Sequence, residues 1–303
     1  MNLVQIGAAM AAPSLLGRLS SPRRETDPHR LAQAVAGRTV LVTGASFGLG
    51  AATAELFAAA GATVLLVART ADRLEEVAAR IRAAGGTAHV LSADLTDPRA
   101  VEDLATAIVG RHGAPDIVIN NAGKSIRRSL TLQLDRPQDF ERTVDINYLG
   151  PVRLLLRLVP AMTDAGGGRI VNISTVGVRM HPGPRWGAYQ ASKGAFDVWF
   201  RSVTPELRAR NISATSIYMA LIHTRMSAPT PSMRRLPGLD PAHAAQIVAA
   251  AVVDGPRSLA PWWSWPLDVA STVAGGAFSA AYTLAFRFGE DSPSARANAE
   301  VLR

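Results

Sequence analysis

The chain has 303 residues, 32 of them basic and 24 acidic, for a formal charge of +8, and it has no cysteine. That length accommodates one large α/β domain or two modest ones, and a composition of 48% hydrophobic and 18% charged residues excludes disorder over most of it. The missing cysteine excludes disulfides, thiolate zinc sites and a cysteine nucleophile, and the basic residues, 30 Arg and two Lys scattered among acids and alanines, form no basic–aromatic stripe of the kind that binds nucleic acid.

Residues 1–17 carry no charged side chain, and Arg18, Arg23 and Arg24 follow them. An export signal has its positive charge before the apolar run, so the chain is expected in the cytoplasm. Asn2, Gln5 and Pro13 weaken a spanning helix. The segment reads as a surface-packed leader or a peripheral membrane contact. From residue 38, apolar runs alternate with helical stretches. Arg38–Thr43 predicts a strand, followed by a Gly-rich turn and a helix to about Ala60; Ala62–Ala68 predicts a second strand. Leu74, Val77, Ala78 and Ile81 put an apolar stripe on one helix face. The alternation continues with strand 88–91, helix 98–112, strand 116–119, helix 137–165, strand 169–174, helix 187–210 and strand 212–217. Continuous apolar strands separated by helices predict a parallel sheet covered on both faces. The expected organisation is an extension over 1–36, one α/β catalytic domain over 37–260 and an aromatic extension over 261–303.

The tail, 260–288, holds Trp262, Trp263, Trp265, Phe278, Tyr282, Phe286 and Phe288, with Asp268 and Arg287 its only charges. Ser271, Thr272, Gly275, Gly276, Ser279 and Thr283 make it a poor spanning helix. It reads as packing against the domain or a subunit partner, or else as lining an apolar substrate entrance or dipping into a membrane interface.

Between the first strand and first helix stands Thr43-Gly44-Ala45-Ser46-Phe47-Gly48-Leu49-Gly50. Glycines there allow a tight turn and close approach of backbone to a pyrophosphate, and the helix N-terminus adds free N–H groups. Arg69 lies 19 residues after Gly50, where an acid would favour NAD(H); an Arg suits the 2′-phosphate of NADP(H) instead, with Ser46 and Thr70 as further donors. Asp94-Leu95 ends the third strand, placed for an adenine amino group, and Asn120-Asn121-Ala122-Gly123 ends the fourth, placed to run beside the cofactor.

Tyr189 and Lys193 are four apart in a predicted helix and share a face. A nearby ammonium is expected to lower the phenol's pKa toward neutrality, so that it can exchange protons at working pH. Ser174 and Thr175 end the fifth strand, where a hydroxyl can hold a carbonyl oxygen, and the Asn147 amide can hold a water for proton relay. Together these groups fit hydride transfer to a carbonyl carbon with a proton to its oxygen. No metal site is expected.

In order and spacing, Thr43–Gly50, Asp94, Asn120–Gly123, Asn147, Ile173-Ser174-Thr175 and Tyr189…Lys193 resemble the short-chain dehydrogenase/reductase family over roughly 37–260. The resemblance implies a doubly wound Rossmann fold, a homo-oligomer, Tyr189 as acid/base, Lys193 on the nicotinamide ribose and Asn147 in the proton relay. It puts Ile222 and Thr224 with Gly44, Ser46, Phe47, Gly48, Leu49, Gly50, Asn121, Ala122 and Gly123 beside the cofactor. The family's carbonyl-binding hydroxyl falls on Thr175, with Ser174 its neighbour. Two departures stand out: Met219-Ala220 replaces the family's frequent Pro-Gly, and Phe47 takes a position that is often basic in NADP users, leaving the phosphate to Arg69. More narrowly, segments 120–129, 139–143 with Asn147-Tyr148, 224–230 and 286–292 are similar to bacterial short-chain-type fatty acyl-CoA reductases. That implies a long-chain acyl-CoA or fatty aldehyde substrate. Another apolar ketone or alcohol, such as a steroid, is the alternative, and a non-catalytic NADP-binding protein a third reading.

Overall fold

The computed structural model describes residues 16–17, 20–230, 233, 235–293 and 295–296. Most of the leader read over 1–17 lies outside the described residues. Helix α1 (Pro28–Val35) precedes strand β1 (Thr39–Thr43), α2 (Gly48–Ala59), β2 (Thr63–Ala68), α3 (Ala71–Ala83), β3 (Thr87–Ser92), α4 (Pro98–His112) and β4 (Ile117–Asn120). Then come α5 (Pro137–Val144), α6 (Gly150–Asp164), β5 (Gly168–Thr175), α7 (Gly187–Arg208), β6 (Ile212–Met219), α8 (Pro241–Asp254) and β7 (Ser258–Leu259), with α9 (Ser264–Val273) and α10 (Gly275–Phe288) in the tail. Three helices start on the same dipeptide. Asp27, Asp97 and Asp240 accept from the main-chain N–H of His29, Arg99 and His243, and a proline with no N–H to satisfy follows each.

The strands form one parallel sheet in the order β3-β2-β1-β4-β5-β6-β7, as the alternating pattern requires. Successive residues of β1 enter opposite layers. Val40 and Val42 pack with Phe57, Leu74 and Ile247 of α2, α3 and α8, whereas Leu41 packs with Ile108, Leu158 and Phe196 of α4, α6 and α7. Burial on both faces is why these strands read as unbroken apolar runs.

The helix expected over 137–165 is divided. Residues Asp145–Leu149 form a π turn between α5 and α6. Pro151 has no N–H to give the Asn147 carbonyl four residues back, and its ring would crowd that carbonyl in a regular α-helix. The wider turn displaces that contact and brings Asn147 into the interior, where it is buried.

Candidate active site

The carboxyl ends of β1, β4, β5 and β6 open into one cavity of about 900 Å³. Asn121 ties two of these ends together: its Nδ2 donates to the Thr43 carbonyl (2.9 Å), while Thr43 Oγ1 accepts from the N–H of Asn121 and Ala122 (3.0 Å each). Across the sheet, Asn120 Nδ2 donates to Asn172 Oδ1 at 3.1 Å. The β1–α2 turn fits tightly against this frame. Gly44 has φ +68° and a Cβ there would lie 2.9 Å from Ala122 Cα, while a Cβ on Gly50 would lie 2.2 Å from the Gly44 carbonyl oxygen. No side chain caps α2, so its first-turn N–H groups have no side-chain acceptor. Ser46, Phe47, Gly48 and Leu49 line the cavity, as do Ile222 and Thr224 beyond β6.

Tyr189, on the first turn of α7, and Thr175, at the end of β5, line the same cavity, and the Thr175 hydroxyl is close enough to act on the phenol. Thr175 Oγ1 also accepts from Gly177 N–H (3.3 Å), which fixes its rotamer. Ser174 Oγ is buried on the cavity wall without a partner among the described residues. One turn beyond Tyr189, Lys193 is 7% exposed and donates from Nζ to the Ile173 carbonyl at 3.0 Å. Asn147 braces the arrangement. Its Nδ2 donates to the Lys124 carbonyl and to Ser192 Oγ (2.9 Å each), and its Oδ1 accepts from Lys124 N–H (2.9 Å). Both amide protons are thus committed to protein partners.

The phenol differs from expectation. Burial, opposed by the Thr175 hydrogen bond, pushes Tyr189 up to about 12, and burial pulls the Lys193 ammonium down to about 8. Desolvation disfavours both charged forms, and the ammonium's hydrogen bond goes to the Ile173 carbonyl.

Residues 38–235 match the short chain dehydrogenase family. The chain is a short-chain dehydrogenase. It is 44% identical over 269 residues to an uncharacterized oxidoreductase of Mycobacterium tuberculosis (88% of this chain, 79% of that one). It is 46% identical over 226 residues to a fatty acyl-CoA reductase of Acinetobacter baylyi (75% and 76%). Among solved structures it is similar to a metagenomic short-chain oxidoreductase in complex with NADP, at 30% identity and a TM-score of 0.64, covering 73% of this chain and 92% of that one.

On the outer side of this oxidoreductase's β1–α2 turn, Arg69 Nη1 stands 3.8 Å from Asp94 Oδ2 and is largely exposed. Asp94 Oδ1 accepts from the N–H and hydroxyl of Thr96 (2.9 and 2.8 Å), Leu95 is buried beside it, and the Thr70 hydroxyl does not cap α3. Two arginines escaped the sequence reading. The Arg225 and Arg73 guanidiniums lie 4.2 and 5.8 Å from the centre of the Phe47 ring. The position that lacks a basic side chain of its own therefore gains two from α3 and from the segment after β6. Only tertiary structure brings them there.

Tail residues Tyr282, Ala285 and Gly289 also line the cavity. Tyr282 stacks on His181 of the β5–α7 loop, with ring centres 5.7 Å apart. Among the described residues no single helix is long and apolar enough to cross a membrane, and α9 and α10 meet at a 102° bend.

Proposed function

We propose that this oxidoreductase uses NADPH to reduce the carbonyl of a long-chain fatty acyl-CoA or fatty aldehyde. The observation that carries this is the pair of hydroxyl side chains, Tyr189 and Thr175, on the wall of one large cavity that the tail also lines. Likeness to a fatty acyl-CoA reductase supports the substrate class. The missing cysteine agrees with direct attack on a thioester, without a cysteinyl acyl-enzyme.

The β1–α2 turn fits a dinucleotide, because Gly44 and Gly50 leave no room for a Cβ and the first-turn N–H groups of α2 await an acceptor. Gly44, Ser46, Gly48, Leu49, Asn121, Ala122 and Gly123 would hold its diphosphate and riboses, with Ile222 and Thr224 on the nicotinamide side. Arg69, Arg73 and Arg225 would hold the 2′-phosphate that separates NADP(H) from NAD(H).

When bound, the nicotinamide supplies the hydride to the carbonyl carbon. Thr175 and Tyr189 hold the carbonyl oxygen, and the phenolic proton of Tyr189 passes to it as charge develops. A phenol held near 12 is protonated at neutral pH, the form that reduction consumes. With an aldehyde the product is the alcohol. With a thioester the new O–H returns its proton to Tyr189, the C=O reforms, the C–S bond breaks, and the thiolate takes a proton from water. Lys193 orients the ribose, and Asn147 keeps residue 124 and α7 in register through Ser192.

The tail suits contact with the lipid surface that supplies such a substrate. Helix α10 buries no residue, and Trp262, Trp265, Val273 and Phe288 are exposed. The reductase reading is tested by NADPH consumption with palmitoyl-CoA and hexadecanal. No turnover of either, with good turnover of a small ketone, would overturn it.

A further inference from the structure

We propose that Arg185 is a positioning residue that clamps α10 over the cavity and so makes the tail the wall that selects long alkyl chains; this rests on the fatty acyl reading above. Arg185 lies in the β5–α7 loop, four residues before Tyr189. It has φ +69°, a left-handed conformation that residues other than glycine seldom adopt without compensation. The compensation is with the tail. Its guanidinium, 6% exposed, donates from Nη2 to the carbonyls of Gly289 (2.6 Å) and Phe286 (3.3 Å), lies 4.3 Å from the centre of the Phe286 ring, and sets Nε 3.6 Å from Asp291 Oδ2.

A second segment joins the clamp. Asp291 Oδ1 accepts from Ser129 N–H at 2.8 Å, Arg127 Nη1 donates to the Glu290 carbonyl at 3.2 Å, and Arg128 N–H donates to the Arg185 carbonyl at 2.8 Å. Residues 286–291 are therefore held from both 127–129 and 185. Helix α10 itself buries nothing, so these polar contacts, with Tyr282 on His181, set where it sits. Its cavity face, Tyr282 and Ala285 with Gly289 just past the helix end, lines the same cavity as Trp186, whose ring centre is 5.9 Å from that of Tyr189. On this proposal a long alkyl chain held by Tyr189 runs along this wall, and a chain of a few carbons stays beside the hydroxyls.

Two variants probe the clamp independently. Arg185→Gly removes the guanidinium and suits φ +69°, so backbone strain does not confound it. Gly289→Val approaches from the other side, because a Cβ there lies 3.2 Å from Arg185 Nη1 and 2.9 Å from the Ala285 carbonyl oxygen. The full chain is assayed with saturated aldehydes from butanal to hexadecanal, and for binding of the fluorescent fatty acid parinaric acid and of NADPH. In both variants the hexadecanal-to-butanal ratio of kcat/KM is expected to fall about tenfold, the equivalent of roughly two buried methylenes. Parinarate binding should weaken alongside it, NADPH affinity should hold, and Arg185→Lys, which keeps charge but not the planar fork, should fall between. An unchanged ratio and unchanged parinarate binding in both variants would overturn the clamp, as would an equal loss on butanal and hexadecanal. A protein that reduces no acyl compound yet binds parinarate through Arg185 would overturn the proposed substrate and uphold the clamp.

Discussion

Replacing Lys193 with methionine is predicted to stabilise the fold below pH 8 while abolishing useful activity. Burial pulls the ammonium from 10.5 to about 8, and no carboxylate contributes to its pKa. At about 1.36 kcal/mol per pH unit, holding it charged inside the protein costs about 3 kcal/mol. Its hydrogen bond to the Ile173 carbonyl returns about 1 kcal/mol. Methionine fills similar volume, removes the charge and forfeits that bond, for a net gain of about 2 kcal/mol at pH 6.5. The sign follows from proton counting. Between about pH 8 and 10.5 the unfolded lysine binds a proton that the folded one has lost, so wild-type stability rises with pH across that window. Above it the penalty is gone and the variant should be the less stable by about 1 kcal/mol, the value of the lost bond. Urea denaturation of both proteins at pH 6.5 and at about pH 11.5 measures the two differences. A Lys193→Met variant less stable than wild type at pH 6.5 would refute the reasoning, because the ammonium would then have stabilising partners beyond the Ile173 carbonyl.

Tyr189→Phe should lower kcat by about 10²–10⁴-fold with little change in NADPH binding, and Thr175→Val should cost more activity than Thr175→Ser, measured as initial rates of NADPH oxidation. Arg225→Ala and Arg73→Ala should each raise KM for NADPH by roughly tenfold while leaving KM for NADH within about twofold, as expected for guanidiniums that meet a 2′-phosphate. The full chain should sediment with phosphatidylglycerol vesicles, and Trp262→Ala with Trp265→Ala should release at least about half of it. Sedimentation unchanged by that double substitution would remove the tail from the contact.

Much of this architecture is legible in the sequence because each layer leaves its own period. The centres of β1, β2 and β4 are apolar on both faces, and α3 carries a stripe of Leu74, Val77, Ala78 and Ile81, all buried. Helix α8 left no such mark. Residues Ile247 to Val252 are all buried, so the helix is apolar all round and no face stands out. The π turn at Asp145–Leu149 had a local signal in Pro151, hidden inside an otherwise helical pattern. At the site, strand-end positions locate Thr175 and the glycines, and the four-residue spacing on one helix face locates Tyr189 and Lys193. What pattern alone does not carry is the meeting of distant segments: Arg225 and Arg73 at Phe47, and residues 127–129 with 286–291 through Arg185. Nor does it carry the direction in which Tyr189 moves, because depth of burial decides that, not the presence of a lysine one turn away.

In the proposed function, hydride passes from NADPH to C1 of a long-chain acyl group and Tyr189 supplies the proton. Incubation of the full chain with C4-deuterated NADPH and either palmitoyl-CoA or hexadecanal, followed by mass spectrometry of the products, tests it most directly. The expected result is one deuterium on C1 for each hydride transferred (one in hexadecanal formed from the thioester and in hexadecanol formed from hexadecanal, two in hexadecanol formed from the thioester through both steps), stoichiometric free CoA thiol from the thioester, and loss of both in Tyr189→Phe. Unlabelled acyl substrates recovered intact, beside a small or cyclic ketone that takes up the label, would contradict it.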